Sequence, residues 1–292
     1  ANSKTLQVGV SAGVSVQASG GTVKGVAAAG SVSIQRASND TIAAVENIDI
    51  KADSTSVTAE NKSTQITVAG LASVSTANAA AGMTWAQNNL NNTTGAYVNG
   101  ITLDKFSADA AKAASLKVDS QNISKTLAVG ASVGTSIGLK GVSSSDTANG
   151  AYAANKGINS TEAVIDKYDD KTTTGKRNTI SNAGNISVTA DDTSSLKGIA
   201  GNISVSAGKA KVGVSVGGSV VNNDIGTADK KQKIRAEINE ADITTAAKGT
   251  VTANATNNAS ILAVGAGGAV AGGTGQVEIS AQGSVATSAI YY

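Results

Sequence analysis

Two periodicities are superimposed along this 292-residue chain, and together they leave few folds open. The short one is strict alternation. Val8, Val10, Ala12, Val14, Val16 and Ala18 alternate with Gly9, Ser11, Gly13, Ser15 and Gln17. The pattern returns at Leu127, Val129, Ala131 and Val133, and again at Val212, Val214, Val216 and Val220. Apolar residues at every second position place one set of side chains on one face of a β-strand. The long periodicity is a repeat. LQVGVSAGVS from Leu6 returns as ITVAGLASVS from Ile66, TLAVGASVGTS from Thr126, KGIAGNISVS from Lys197 and ILAVGAGGAV from Ile261. The anchors Val8, Val68, Val129, Ile199 and Val264 recur at intervals of roughly 60–70 residues, well beyond the period of a single short repeat.

Each repeat carries two further segments. A polar-turn strand precedes the anchor, as in VTAENKSTQITVAG from Val57 and ISVTADDTSSLKGIAG from Ile186. An Ala-x-Val/Ile strand follows it, in NDTIAAVENIDI from Asn39, TGAYVNGITL from Thr94, STEAVIDKY from Ser160 and KIRAEINEADI from Lys233. Self-similarity at a fixed period is the signature of a solenoid, in which each unit buries its face against the next. The reading is all-β: one repetitive, right-handed parallel β-helix over residues 1–292, with units at 1–56, 57–115, 116–184, 185–249 and 250–292. Solenoid layers usually run about 20–25 residues, so each unit is expected to hold about three layers and the chain about 13. At about 4.8 Å per layer that is a rod roughly 60 Å long. Val, Ile, Ala and Leu are expected to point inward, and Ser, Thr, Asn and Lys outward.

Composition supports this and excludes much else. The chain has no proline, where roughly 15 would be ordinary for its length. Proline cannot donate to a strand ladder, so its absence fits a backbone engaged in continuous pairing. With no histidine and no cysteine, Ser-His-Asp and Cys-His catalysis, disulfides and the common zinc sites are ruled out. A net charge of +2 with three arginines is too little for a nucleic-acid footprint. The most apolar stretch, 261–273, is too short to span a bilayer as a helix. The start at Ala1 reads as a fragment or processed product. No cofactor or metal site is expected.

Length variation between units marks expected loops, which in a solenoid carry the binding surfaces. The largest is 143–178, with Glu162, Asp166, Asp169, Asp170 and Lys171; the second is 222–240, with Lys230 and Lys231; the third is 84–99, with the single tryptophan, Trp85. These eight residues are the candidate partner-binding positions. Trp85 reads either as a sugar-stacking platform or as a loop anchor. The pairs Asp169-Asp170 and Asp191-Asp192 read as solvated turns, because adjacent strand residues point to opposite faces and cannot serve one substrate together. Residues 104–115, DKFSADAAKAAS, read as a short helix opening on Asp104 or as a polar loop.

The segments VTAENKSTQITVAGLASVSTANAA, GAYVNGITL, TLAVGASVGTSIG and IRAEINEADI resemble the passenger region of the large leukotoxin-type filamentous adhesins. These are type V autotransporters of Gram-negative outer membranes. The resemblance covers essentially the whole chain. It implies a parallel β-helix, an extracellular location on the bacterial surface and no catalytic residues. It further implies attachment to host or bacterial surface proteins or glycans. Two other functions compete with attachment. A secreted β-helical polysaccharide lyase or hydrolase would show a carboxylate-lined groove. A filament protein would self-associate head to tail.

Overall fold

The computed structural model describes residues 1–18, 25–76, 78–106, 113–140, 143–170, 173–274 and 277–292, and every regular element among them is a strand. In chain order, β1 (Asn2–Gln17), β2 (Val26–Glu46) and β3 (Asp49–Lys51) form a first turn. β4 (Ser54–Ser75), β5 (Ala79–Asn99) and β6 (Thr102–Asp104) form a second. β7 (Ala114–Gly138) and β8 (Ser144–Asp166) form a third, which ends in the hairpin β9 (Tyr168–Asp170) and β10 (Thr173–Lys176). β11 (Asn178–Gly208), β12 (Val212–Ile225) and β13 (Lys233–Ile238) make a fourth, followed by β14 (Ala241–Gly273) and β15 (Val277–Ile290).

Two large sheets result, both wholly parallel. One runs β1-β4-β7-β11-β14 and the other β2-β5-β8-β12-β15, with β13 extending the second beside β8. The two long strands of each repeat therefore lie in opposite sheets and face each other. Ser11 Oγ lies 2.7 Å from Ser31 Oγ, and Thr5 Oγ1 donates to Asn39 Oδ1 at 3.0 Å. The short strands β3 and β6 and the start of β11 close one side as a corner. The architecture is a solenoid-like stack of parallel strands.

The pairing register corrects the expected layer count. Val10, Val68, Val129, Ile199 and Val264 sit side by side in one column across five strands. Each repeat therefore adds one strand to each sheet, not three layers. The reason is strand length: β2, β4, β5, β7 and β8 each hold 21–25 residues, so one turn consumes a whole repeat. The first repeat is also out of step with the sequence alignment, since Val8 lies beside Ile66 and Val10 beside Val68.

The core divides along the strands. Near the corner it is apolar. Ala43, Ala96, Ala163 and Ala236 form one column there, and Val45, Val98, Ile165 and Ile238 the next, against Ile101, Leu103, Leu116, Ile180 and Ile186. Burying each Ile or Leu there stabilises by about 1.5–3 kcal/mol relative to exposure. Farther along, the space between the sheets is lined by amides and hydroxyls. Asn88 Nδ2 donates to Asn155 Oδ1 (2.9 Å) and to Leu127 O (2.8 Å). Asn155 repeats this toward Asn223 (2.7 Å) and Lys197 O (2.8 Å), and Asn223 Nδ2 reaches Leu262 O (2.8 Å). One rung per repeat satisfies a buried carbonyl at each level.

In the Gly/Val half of each strand the expected facing is reversed. Ser, Gly, Ala and Thr point inward, while Val8, Val10, Val14, Val16, Val133, Ile199 and Val264 are on the outside. Val10 is 72 % exposed and Val14 75 %. The sheets approach closely here, and the few larger inward side chains, such as Leu71 and Val221, sit opposite glycines. A Cβ on Gly13 would lie 2.5 Å from Gly30 O, and one on Gly130 would lie 2.7 Å from Tyr152 O. The small set must therefore face inward, and alternation sends the β-branched set out.

The expected loops are corrected too. Most of 143–178 is β8, a central strand paired on both sides, and 84–99 lies within β5. In 222–240 only residues 226–232, between β12 and β13, and residues 239–240, between β13 and β14, are connections. Of 104–115, Asp104 ends β6 and Ala114 begins β7, while residues 107–112 fall outside the described residues. Among the described residues no helix is long and apolar enough to cross a membrane.

Candidate functional site

The chemically richest surface is the outer face of the second sheet. Register stacks Val32, Trp85, Tyr152, Val220 and Val285 in one column. Trp85 on β5 and Tyr152 on β8 pack as a tilted pair, with ring centroids 4.5 Å apart and planes at 44°. Both rings are half-buried by their neighbours. Burial, and then the Asp224 carboxylate, holds the Tyr152 phenol above its ordinary pKa, so it remains a neutral donor.

A chain of polar side chains runs from this pair along β5. Trp85 Nε1 donates to Gln87 Oε1 at 2.9 Å, and Gln87 Nε2 donates to Asn89 Oδ1 at 3.2 Å. Spacing by two keeps all three on one face. Asn89 lies between Arg36 on β2 and Lys156 on β8 in the adjoining strands. Together with Ser38, Asn91 and Ile158 these residues line an open groove of about 540 Å³. Its lining contains no carboxylate. Among the described residues, the Arg36 and Lys156 side chains have neither hydrogen bond nor ion pair.

Of the eight positions expected from sequence, only Trp85 belongs to the aromatic pair and its amide row. Glu162 lies on the same outer face but is engaged by Lys233 (2.9 Å), Arg235 (3.8 Å) and Ser160 (2.9 Å). Register explains this, since β13 places Lys233 beside Ser160 and Arg235 beside Glu162. Asp166 ends β8 and serves the corner: its carboxylate accepts from Lys167 N, and its carbonyl accepts from Gly100 N and Asn178 Nδ2. Asp169 and Asp170 lie in β9, with Asp170 opposite Thr173, and Lys171 falls outside the described residues. Lys230 and Lys231 are exposed in the β12–β13 turn, where Lys230 N donates to Thr227 Oγ1 at 2.9 Å.

A second polar cluster is internal. The Asp192 carboxylate accepts from Asn122 Nδ2 (2.7 Å), Thr161 Oγ1 (3.1 Å), Ser194 Oγ (2.6 Å) and Gln232 Nε2 (2.6 Å). Burial raises its pKa despite these four donors. Asp192 follows Asn61 and Asn122 in one column, so it stands where the earlier repeats have an amide. It is sealed from solvent and reads as structural. Among the described residues no group of three His, Cys, Asp or Glu could hold a metal ion.

No family model, curated protein or solved structure matches this chain.

Proposed function

We propose that the chain is a segment of the passenger of a Gram-negative surface autotransporter, a right-handed β-helix that serves attachment rather than catalysis. The observation that carries this reading is the long shared register, in which the long strands of each repeat lie beside those of the previous one over some twenty residues. Such a scaffold lengthens by repetition and presents its outer faces at any chosen distance. Right-handed winding follows the general rule for parallel crossover connections. The resemblance to leukotoxin-type adhesins points the same way and implies a location outside the cell. The groove beside Trp85 supports binding over hydrolysis, because it holds amides and cations and no acid–base pair of carboxylates. Its partners are surface glycans or proteins.

The test is attachment. Beads coated with the purified chain adhere to epithelial or bacterial cells more than beads coated with an inert protein. Equal adhesion overturns the proposal, as does release of products from an acidic polysaccharide.

Self-association is a second reading, favoured by the outer face of the first sheet. Val and Ile columns there flank an open apolar groove lined by Ala131, Gly201, Ala266 and Gly268. Five strands at about 4.8 Å by nine residues at about 3.3 Å give a face of about 700 Å², close to the ~800 Å² each partner contributes to a stable dimer. A second copy could seat its Val ridge in this groove. Sedimentation across a dilution series would then show a dimer that Val129→Lys abolishes; a monomer throughout removes this reading.

A further inference from the structure

We infer that the Trp85 face of the second sheet binds an acidic oligosaccharide, with a sugar ring on Trp85 and Tyr152 and an anionic group between Arg36 and Lys156. The inference deepens the attachment reading and rests on it for its biological use. Three observations converge on the ligand class.

The first is the aromatic pair. Tyr152 packs against the indole at 4.5 Å and holds it in place. A fixed, half-exposed aromatic surface suits the C–H face of a pyranose, which is apolar on one side and polar at its rim. The Tyr152 hydroxyl, beside the Asn222 amide, adds a polar group at the rim of this surface.

The second is the amide row. Gln87, Asn89 and Asn91 alternate along β5 on the same face. Each side-chain amide offers donors and an acceptor, matching the paired hydroxyls of a sugar. The hydrogen bonds from Trp85 to Gln87 and from Gln87 to Asn89 pre-orient two of the three. Less ordering is then left for binding to accomplish.

The third is charge. Arg36 and Lys156 flank Asn89 from the strands on either side, so they lie two strand spacings apart, about 10 Å. Arg36 has no ion-pair partner among the described residues, and Lys156 forms none although register sets Asp224 beside it on β12. Two unpaired cations at one groove, without a lining carboxylate, select an anion. From Trp85 to Asn89 is about 13 Å along the strand. The ligand must therefore be longer than a monosaccharide. The anionic group is a carboxylate or a sulfate ester.

Isothermal titration of the whole chain distinguishes these. The probes are a hyaluronan hexasaccharide (carboxylates only), a chondroitin sulfate hexasaccharide and neutral maltohexaose. The expected result is binding of one or both acidic probes at least tenfold tighter than maltohexaose, weakening as salt rises. Arg36→Gln with Lys156→Gln should bring acidic and neutral probes to equal affinity. Trp85→Ala should weaken all of them tenfold or more. The two charge substitutions lie on the outer surface and leave the fold intact, which keeps the inference testable if Trp85→Ala unfolds. Equal wild-type binding of acidic and neutral probes overturns it, and so does acidic binding that the double variant leaves unchanged. Cell attachment without any binding of the acidic probes overturns this inference while leaving the attachment reading in place.

Discussion

Single residues set both the corners and the enclosed charge of this fold. At the corner between the second sheet and the short strands, the chain needs a left-handed residue. Asn47 (φ 48°), Gly100 (φ 62°) and Glu240 (φ 45°) provide it in different repeats. Gly100 is also crowded, and a Cβ there would lie 2.9 Å from Lys176 O. Gly100→Ala should therefore destabilise by about 1–3 kcal/mol, read by chemical denaturation. Asp192 makes a prediction with a sign. Its folded pKa is raised by burial, while the unfolded value is about 3.9. The native state thus binds a proton before the unfolded state does as pH falls. Its contribution is complete below about pH 4 and is lost as pH rises through the raised folded value. Asp192→Asn should remove this component, so wild type gains stability relative to the variant as pH is lowered from 7 toward 4. A constant difference across that range contradicts the assignment. The repeat sets Asp191 level with Glu60 and Asp192 level with Asn61, but neither alignment nor hydropathy says which side is enclosed. The alternation puts the two on opposite faces, but only the packing of β11 decides which one is enclosed.

At the scale of the strand, the alternation reveals two faces and does not reveal which is inside. Hydrophobicity alone assigns Val inward. Packing assigns the opposite, because Gly, Ser and Ala let the sheets approach and their hydroxyls bond across the gap, as Thr147 Oγ1 does to Val205 O at 2.8 Å. Neighbours on β7 separate the two accounts. Ala128 is fully buried and Val129 faces outward. Ala128→Val should cost about 1–3 kcal/mol by overpacking. Val129→Ser should change stability by no more than about 0.5 kcal/mol, as ordinary surface changes do. The reverse ranking in denaturant midpoints would restore the inward valines. The binding face is hidden for a related reason. Trp85 stands out by its rarity, whereas Arg36, Tyr152 and Lys156 become its neighbours only through pairing between strands of successive repeats. No spacing within one repeat signals that.

For the whole molecule, the repeat length is legible and its meaning is not. Dividing the period into layers of common size gives a thin rod. The strands are instead two to four times the usual length, and one repeat makes one turn. Five strands at about 4.8 Å stack to about 24 Å, while a 21-residue strand such as β5 extends about 70 Å. The body is thus broader than it is tall, and it would become a rod only by adding repeats. The zero-proline composition and the Ala-x-Val columns are sound guides to this, since both report on the ladder itself rather than on where a turn ends. The most direct test of one turn per repeat uses the cysteine-free chain with Val68→Cys and Val129→Cys, each carrying a nitroxide. Register puts these two outward positions side by side on β4 and β7, about 4.8 Å apart between backbones, and predicts strong spin exchange in the electron paramagnetic resonance spectrum. Three layers per repeat would hold them about 14 Å apart, and a spectrum with dipolar broadening but no exchange would contradict the account.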